Sequence, residues 1–409
     1  MALPAAENAI RGLLERLLRT FDGGTITLVD SDGEHRLGVG GDLSVVVTIH
    51  SPAAYRAVLS GGRGIARAYT DGLWDCDDLV GLIRIASRAM FRADPWRERA
   101  AKVLKPLQRL TAARRSNTRA RSRSNVERHY DLGNDFFSLV LDETMGYSCA
   151  FYERPDMSPV EASRANLERV CHMLDLRPED RLLEMGSGWG GLALHAATRF
   201  GCHVSTVTIS PSQRDYIDRL AREAGVADRV KVVMSDYRDV RGRWDKLVSL
   251  EMVESIGPQH LHTFLEQCGR LLAQDGLMVM QAITTTDRLY HVERYRRAFL
   301  NDLIFPNGCV PSLEAITNAA AQRTSMRVSG VYDITPHYPP TLRAWNDRLQ
   351  RNWPRIQELG RFDEHFRRLW TLYFSWCEGG FLERRVFDRQ IVFANPGWRE
   401  ENRLLGLPR

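Results

Sequence analysis

The stretch LLEMGSGWGG, from Leu182 to Gly191, decides how the rest of the chain is read. A short apolar run ends in Glu184 and passes into Gly186, Gly188 and Gly190, which is the pattern of a strand that turns sharply and opens a helix. Glycines at such a turn let the backbone adopt conformations closed to other residues and let a ligand approach the main chain. Downstream, HVSTVTIS, VKVVMSD, KLVSLEM and LMVMQAIT repeat the apolar run, with helical segments between them. Strands alternating with helices predict a doubly wound, parallel, Rossmann-like sheet of the α/β class.

A glycine turn alone says little about its ligand. Here the spacing is Glu-x-Gly-x-Gly, which departs from the dinucleotide pattern Gly-x-Gly-x-x-Gly and suits the methionine and ribose portions of S-adenosylmethionine. The second strand ends in Thr208-Ile209-Ser210-Pro211-Ser212-Gln213 without the acid that grips ribose in many nucleotide folds, so Thr208 and Gln213 are the hydrogen-bonding candidates there. The third ends at Ser235-Asp236-Tyr237. There Asp236 has two readings, an acceptor for an adenine amino group or a helix cap, and Tyr237 offers a ring to stack on the base.

At 409 residues the chain exceeds one ordinary core, which predicts a catalytic domain and a smaller companion. With 44% hydrophobic and 26% charged residues it has a globular composition and no apolar run long enough to span a bilayer. Glu7, Arg11, Glu15, Arg16 and Arg19 interrupt the first helix-like segment, which excludes the apolar stretch of a signal peptide and predicts a cytoplasmic protein. The seven cysteines are scattered, with no Cys-x-x-Cys pair, so neither a disulfide framework nor a metal site is expected. The net charge of +5 is uninformative, but Lys102 to Arg128 gathers nine cations against Glu127 alone. That run reads as a solvated connection or as a basic surface for anionic lipid headgroups. Nucleic acid ranks behind both, because no aromatic residue interrupts the run for base stacking.

The chain resembles the cyclopropane fatty acid synthases and their mycolic acid relatives. The resemblance is carried by HYDLGNDFF (His129 to Phe137), GYSCAFYE (Gly146 to Glu153), LLEMGSGWGG, VTISPSQ, SDYRD, EMVESIG (Glu251 to Gly257), IFPNGCVPS (Ile304 to Ser312), HYPPTLRAW (His337 to Trp345) and CEGGF (Cys377 to Phe381). It implies a seven-stranded methyltransferase core with a helical acyl-binding cap over residues 125–409. A basic linker would cover 101–124, and a small α+β domain at 1–100 would serve lipid docking or dimerisation, the latter implying a homodimer. Tyr147, Ser148, Gly186, Gly188, Thr208, Gln213, Asp236 and Tyr237 fall at the family's cofactor-contacting positions, and Glu184 belongs to the same loop. Cys149, Glu254, Ile283 and Tyr338 fall at positions that in the family hold a bicarbonate ion. At the fifth such position relatives carry His and this chain has Gln281, which can donate to an anion but cannot take a proton near neutrality. Ser255 likewise stands where many have His.

The resemblance implies methyl transfer from S-adenosylmethionine to the double bond of an unsaturated phospholipid acyl chain at a membrane surface. The carbocation that follows needs electron density, for which the rings of Tyr147, Phe151, Tyr152 and Tyr338 are candidates, and a base, for which bicarbonate is implied. Loss of a proton from the new methyl gives a cyclopropane; a hydride shift first gives a methylene branch. Cys149 also invites a nucleophile reading, although no covalent step is needed with an alkene acceptor. Two other functions stay open at this point, a small-molecule methyltransferase and a noncatalytic lipid-binding protein.

Overall fold

The computed structural model describes residues 3–113, 132–295, 299–305 and 307–399. The chain forms two compact units. One is drawn from Met1–Lys105, Arg296–Ile304 and Leu342–Arg385, the other from Pro106–Tyr295, Phe305–Thr341 and Val386–Arg409. The division is therefore not the linear one at residues 100 and 125 that the sequence suggests. Its physical cause lies in the helix Glu364–Leu382, whose Leu369, Leu372 and Trp376 join the apolar core of the first unit.

That unit is built on a four-stranded sheet of β1 (Gly24–Asp30), β2 (Gly33–Gly40), β3 (Ser44–Ile49) and β4 (Trp74–Cys76), in the order β2-β1-β3-β4. β1 and β2 form a hairpin closed at Asp30 and Gly33, and β1 runs parallel to β3. Alternation places Val45 and Val47 inward, where they meet Leu28, Tyr55, Trp74 and Ile85. The first helix, Ala5–Leu18, does not turn a purely apolar face to this core. Its Arg11 and Glu7 are buried while Leu13 and Leu17 are exposed. Arg11 Nη1 donates to Asp30 Oδ2 at 2.9 Å, and the Tyr55 hydroxyl donates to the same oxygen at 2.6 Å, so the inward charge is paired and hydrogen-bonded.

The second unit carries a seven-stranded sheet of β5 (Arg181–Met185), β6 (His203–Thr208), β7 (Val230–Met234), β8 (Trp244–Leu250), β9 (Leu272–Thr285), β10 (Arg327–Asp333) and β11 (Val386–Ala394), ordered β10-β11-β9-β8-β5-β6-β7. The five strands read from sequence are β5 to β9, and they are mutually parallel. β11 lies antiparallel to both β9 and β10. Leu183, Leu247, Met278, Met280 and Phe393 are fully buried in one of the apolar layers that flank the sheet. The chain runs outward from β5 through β6 to β7, then returns to build β8 and β9 on the other side. The crevice at the carboxyl ends of β5 and β8 is thus the place where this architecture binds ligands. Among the described residues no helix is long and apolar enough to cross a membrane.

Candidate active site

Two groups of residues meet at that crevice. The first is the loop after β5. Gly186, Gly188 and Gly190 have φ of 91°, 47° and 83°, a region that favours glycine. A Cβ at Gly190 would lie 2.8 Å from Ile217 Cγ1, and one at Gly186 would lie 3.2 Å from Met252 Sδ, so both close against protein. A Cβ at Gly188 would meet nothing within 4 Å. That open side leaves room for a ligand laid against the main chain. The Thr208 hydroxyl donates to Gln213 Oε1 at 2.7 Å, and Ser187 Oγ approaches the same oxygen at 3.5 Å.

Other residues expected to touch a cofactor are placed differently. Glu184 is buried within the sheet, where its carboxyl accepts from Thr206 on β6 at 2.5 Å; burial pushes it up to about 8. The Asp236 carboxylate accepts from the backbone N–H of Arg238 at 3.0 Å and from its guanidinium twice at 2.7 Å. It therefore caps its own turn and pairs with a cation. Tyr237 packs edge-on to Phe264, with ring centroids 5.3 Å apart. Tyr147 packs against Phe137 at 5.6 Å, and Phe137 in turn against Trp189 of the glycine loop at 4.6 Å. Ser148 is half-buried beside it. Nothing is described for His129 to Asp131 or Pro306 of the quoted motifs, and the side chains of the Lys102 to Arg128 run lie outside the described residues.

The second group sits where β8 and β9 end. Its centre is Glu251, not Glu254. Cys149 N–H donates to Glu251 Oε1 at 2.8 Å, Gln281 Nε2 donates to the same oxygen at 2.7 Å, and the Tyr338 hydroxyl donates to Oε2. Three of the donors expected to surround bicarbonate thus converge on a carboxylate of the chain itself. The fourth, Ile283 N–H, donates to Glu254 Oε1 at 2.5 Å. A bicarbonate ion does not fit this donor set, because the groups that would hold it are spent on Glu251 and Glu254.

Gln281 is itself fixed on every side. Its Nε2 also reaches Asp388 Oδ2 at 3.3 Å, while its Oε1 accepts from Asn166 Nδ2 at 3.1 Å and Gln390 Nε2 at 3.0 Å. Gln390 faces Gln281 across the β9–β11 ladder, and Asp388 faces Ile283 two residues along. Asn166 and Arg169 come from one face of the helix Pro159–Met173, which starts at a capping box of Ser158 and Glu161. Arg169 Nε donates to Gln390 Oε1 at 2.9 Å, and its guanidinium lies 4.6 Å from the centre of the Phe151 ring. One of the rings expected to face a carbocation is therefore already covered by a cation.

Burial raises the carboxyls of Glu251, Glu254 and Asp388 together. For Glu254, to about 8, and for Asp388, well above its usual value, the neighbouring Glu251 charge adds to burial. Among these carboxyls Glu251 collects three donors, which pull its carboxyl back down against burial. Glu254 Oε2 is buried without a hydrogen-bond partner among the described residues, a situation that favours the protonated carboxyl. Burial also lifts the Cys149 thiol well above its usual value, which removes the nucleophile reading; the backbone amide is what Cys149 contributes. Sequence reasoning passed over Asp388, Asn166, Gln390 and Arg169. The signal for two of them was present in Asp388 and Gln390, polar residues two apart inside the otherwise apolar strand VFDRQIVFA.

Residues 117–391 match the family model of the mycolic acid cyclopropane synthetases. The chain is 32% identical to the tuberculostearic acid methyltransferase of Mycobacterium tuberculosis, over 93% of this chain and 89% of the relative. It is 31% identical to the cyclopropane-fatty-acyl-phospholipid synthase of Escherichia coli K12, over 88% of this chain and 90% of that one. Among solved structures, a mycolic acid cyclopropane synthase complexed with SAH and CTAB superposes with a TM-score of 0.62 at 29% identity, covering 66% of this chain and 98% of the other.

Proposed function

We propose that this chain, which belongs to the mycolic acid cyclopropane synthetase family of S-adenosylmethionine-dependent methyltransferases, methylates the double bond of an unsaturated phospholipid acyl chain and closes a cyclopropane ring on it. The observation that carries the proposal is the carboxylate-and-amide cluster around Glu251, one residue from the Met252 that abuts Gly186 of the glycine loop. A methyltransferase acting on nitrogen or oxygen needs a base for a heteroatom proton, not three buried carboxyls at the end of a core strand.

S-adenosylmethionine, when bound, supplies an electrophilic methyl on a positively charged sulfur. Gly188 leaves room for it, and Ser187, Thr208 and Gln213 provide hydrogen bonds at the loop. Tyr147, Ser148 and Tyr237 stand as its further contacts. Tyr338, whose hydroxyl donates to Glu251, offers its ring as electron density for a developing cation on the acyl chain. Glu254 accepts from the Ile283 backbone N–H and holds that end of the strand in place. The chain reaches its substrate as a peripheral protein at an anionic membrane surface, and a homodimer is part of the same proposal.

Similarity to a tuberculostearic acid methyltransferase over 93% of this chain favours a second outcome of the same transfer, a methylene branch formed after a hydride shift. One experiment separates the readings. The protein is incubated with unsaturated phospholipid vesicles and methyl-labelled S-adenosylmethionine, and the acyl chains are analysed by mass spectrometry after derivatising residual alkenes. A labelled chain with no alkene supports the ring, and a labelled chain that still derivatises supports the branch. Unlabelled lipid rejects both.

A further inference from the structure

We propose that the Glu251 carboxylate is the built-in base of this enzyme, occupying the place of a bicarbonate ion and accepting the proton that the methylated acyl cation loses. The inference rests on the acyl-alkene reading above and names the group that completes it.

Four observations support it. First, Cys149 N–H and Gln281 Nε2 donate to one oxygen at 2.8 and 2.7 Å and the Tyr338 hydroxyl donates to the other. Three convergent donors from separate stretches of chain are what an anion site requires, and here the anion is covalently attached. Second, Glu251 takes a left-handed backbone with φ of 48°, rare for a residue with a side chain and kept only where surrounding contacts impose it. Its N–H donates to the Gln281 carbonyl at 2.9 Å, so backbone and side chain are both tied to β9. Third, Glu251 directly follows β8 at the crevice and precedes the Met252 that lies against Gly186 of the cofactor loop. Fourth, Gln281 Nε2 bridges Glu251 and Asp388 at 2.7 and 3.3 Å, so the Glu251 carboxyl is the best-donated acceptor in a site where burial raises its neighbours Asp388 and Glu254.

The step balances without a further reactant. The alkene π pair forms the bond to the methyl carbon while the carbon–sulfur bond breaks and its pair stays on sulfur. The adjacent acyl carbon is left cationic. A C–H bond of the new methyl then gives its proton to a Glu251 oxygen, and the released pair closes the third side of the ring. Tyr338, Gln281 and the Cys149 amide hold the carboxylate for this transfer, and Glu251 returns the proton to water afterwards.

The test compares the full chain with Glu251→Gln and Glu251→Gly, all checked for fold by circular dichroism and for S-adenosylmethionine affinity by calorimetry. Acyl methylation is assayed in carbon dioxide-stripped buffer with and without added bicarbonate, and ¹³C NMR of ¹³C-bicarbonate reads anion binding independently of turnover. The parent chain is expected to be indifferent to bicarbonate and to bind none. Glu251→Gln should lose about 100-fold in turnover with cofactor affinity kept. Glu251→Gly should lose as much, bind ¹³C-bicarbonate and regain activity when it is added. A parent chain that needs or binds bicarbonate overturns the proposal. So does a fully active Glu251→Gln, or a Glu251→Gly that binds no anion. If no lipid is methylated at all, the substrate reading fails separately and the NMR comparison still decides on the anion site.

Discussion

Gln281 departs from the family's histidine, and its surroundings explain why an amide belongs there. It is fully buried, and it donates to Glu251 and Asp388 while accepting from Asn166 and Gln390, so both amide hydrogens and both lone-pair directions are used. An imidazole has two nitrogens and can meet at most half of these partners. Gln281→His should therefore leave buried polar groups unpaired, at roughly 1–3 kcal/mol each, and release Glu251 from one of its donors. The expected result is a lower urea midpoint together with lower turnover, and an equally stable, equally active variant would show that the network is dispensable. Glu184 gives a second prediction at this scale. Its carboxyl ordinarily titrates near 4.5 and is pushed up to about 8 by burial beside Thr206. Between those values the folded state keeps a proton that the unfolded state has released, so its contribution to stability is full below about 4.5, falls as pH rises, and levels off above about 8. Glu184→Gln keeps the shape without the titration. Its stability should fall less than the parent's between pH 5 and 8, as measured by denaturant midpoints across that range; parallel curves would exclude the effect.

At the scale of elements, the glycine loop is the feature most open to a direct test. Gly190→Ala would force a methyl to 2.8 Å from Ile217 Cγ1 in a backbone with φ of 83°. The left-handed conformation should cost about 1–2 kcal/mol and the overpacking about 1–3 kcal/mol more. Gly188→Ala meets no protein atom, so it should spend its effect on S-adenosylmethionine affinity, with a smaller loss of melting temperature. Equal melting losses for the two would contradict this division of roles. The loop and strands β5 to β9 were legible in the sequence because parallel strands covered on both faces read as unbroken apolar runs. β2 was not, since GEHRLGVG is an edge strand with charged residues and is held by backbone pairing to β1. β11 escaped for a related reason: Asp388 and Gln390 interrupt its apolar run, and they do so because that face lines the site. The site itself was half legible. Cys149, Gln281, Ile283 and Tyr338 were identified as donors, but the sequence cannot tell which of two carboxylates three residues apart will collect them. That depends on the left-handed turn at Glu251, which swings its side chain towards residues more than a hundred positions away in Cys149 and some thirty away in Gln281.

At the scale of the molecule, the two units have separate apolar cores. One surrounds β1 to β4 with Leu372 and Phe299, and the other lies on the faces of the seven-stranded sheet. The cofactor loop belongs wholly to the second. A ligand that binds only the folded form of one unit stabilises that unit by an amount set by its concentration relative to its dissociation constant, about 2.7 kcal/mol at a hundredfold excess. For a unit of this size that corresponds to a rise of about 5–10 °C. Scanning calorimetry of the full chain should therefore resolve two transitions, of which S-adenosylmethionine moves one and leaves the other in place. Glu251→Gln should preserve this selective shift, because Glu251 collects its donors from Cys149, Gln281 and Tyr338 and none from the loop that contains Gly188. A single transition, or two that move together, would mean that the cores unfold as one cooperative body. Loss of the shift in Glu251→Gln would place Glu251 in cofactor binding and remove the distinction between binding and proton acceptance on which its assignment as the base depends.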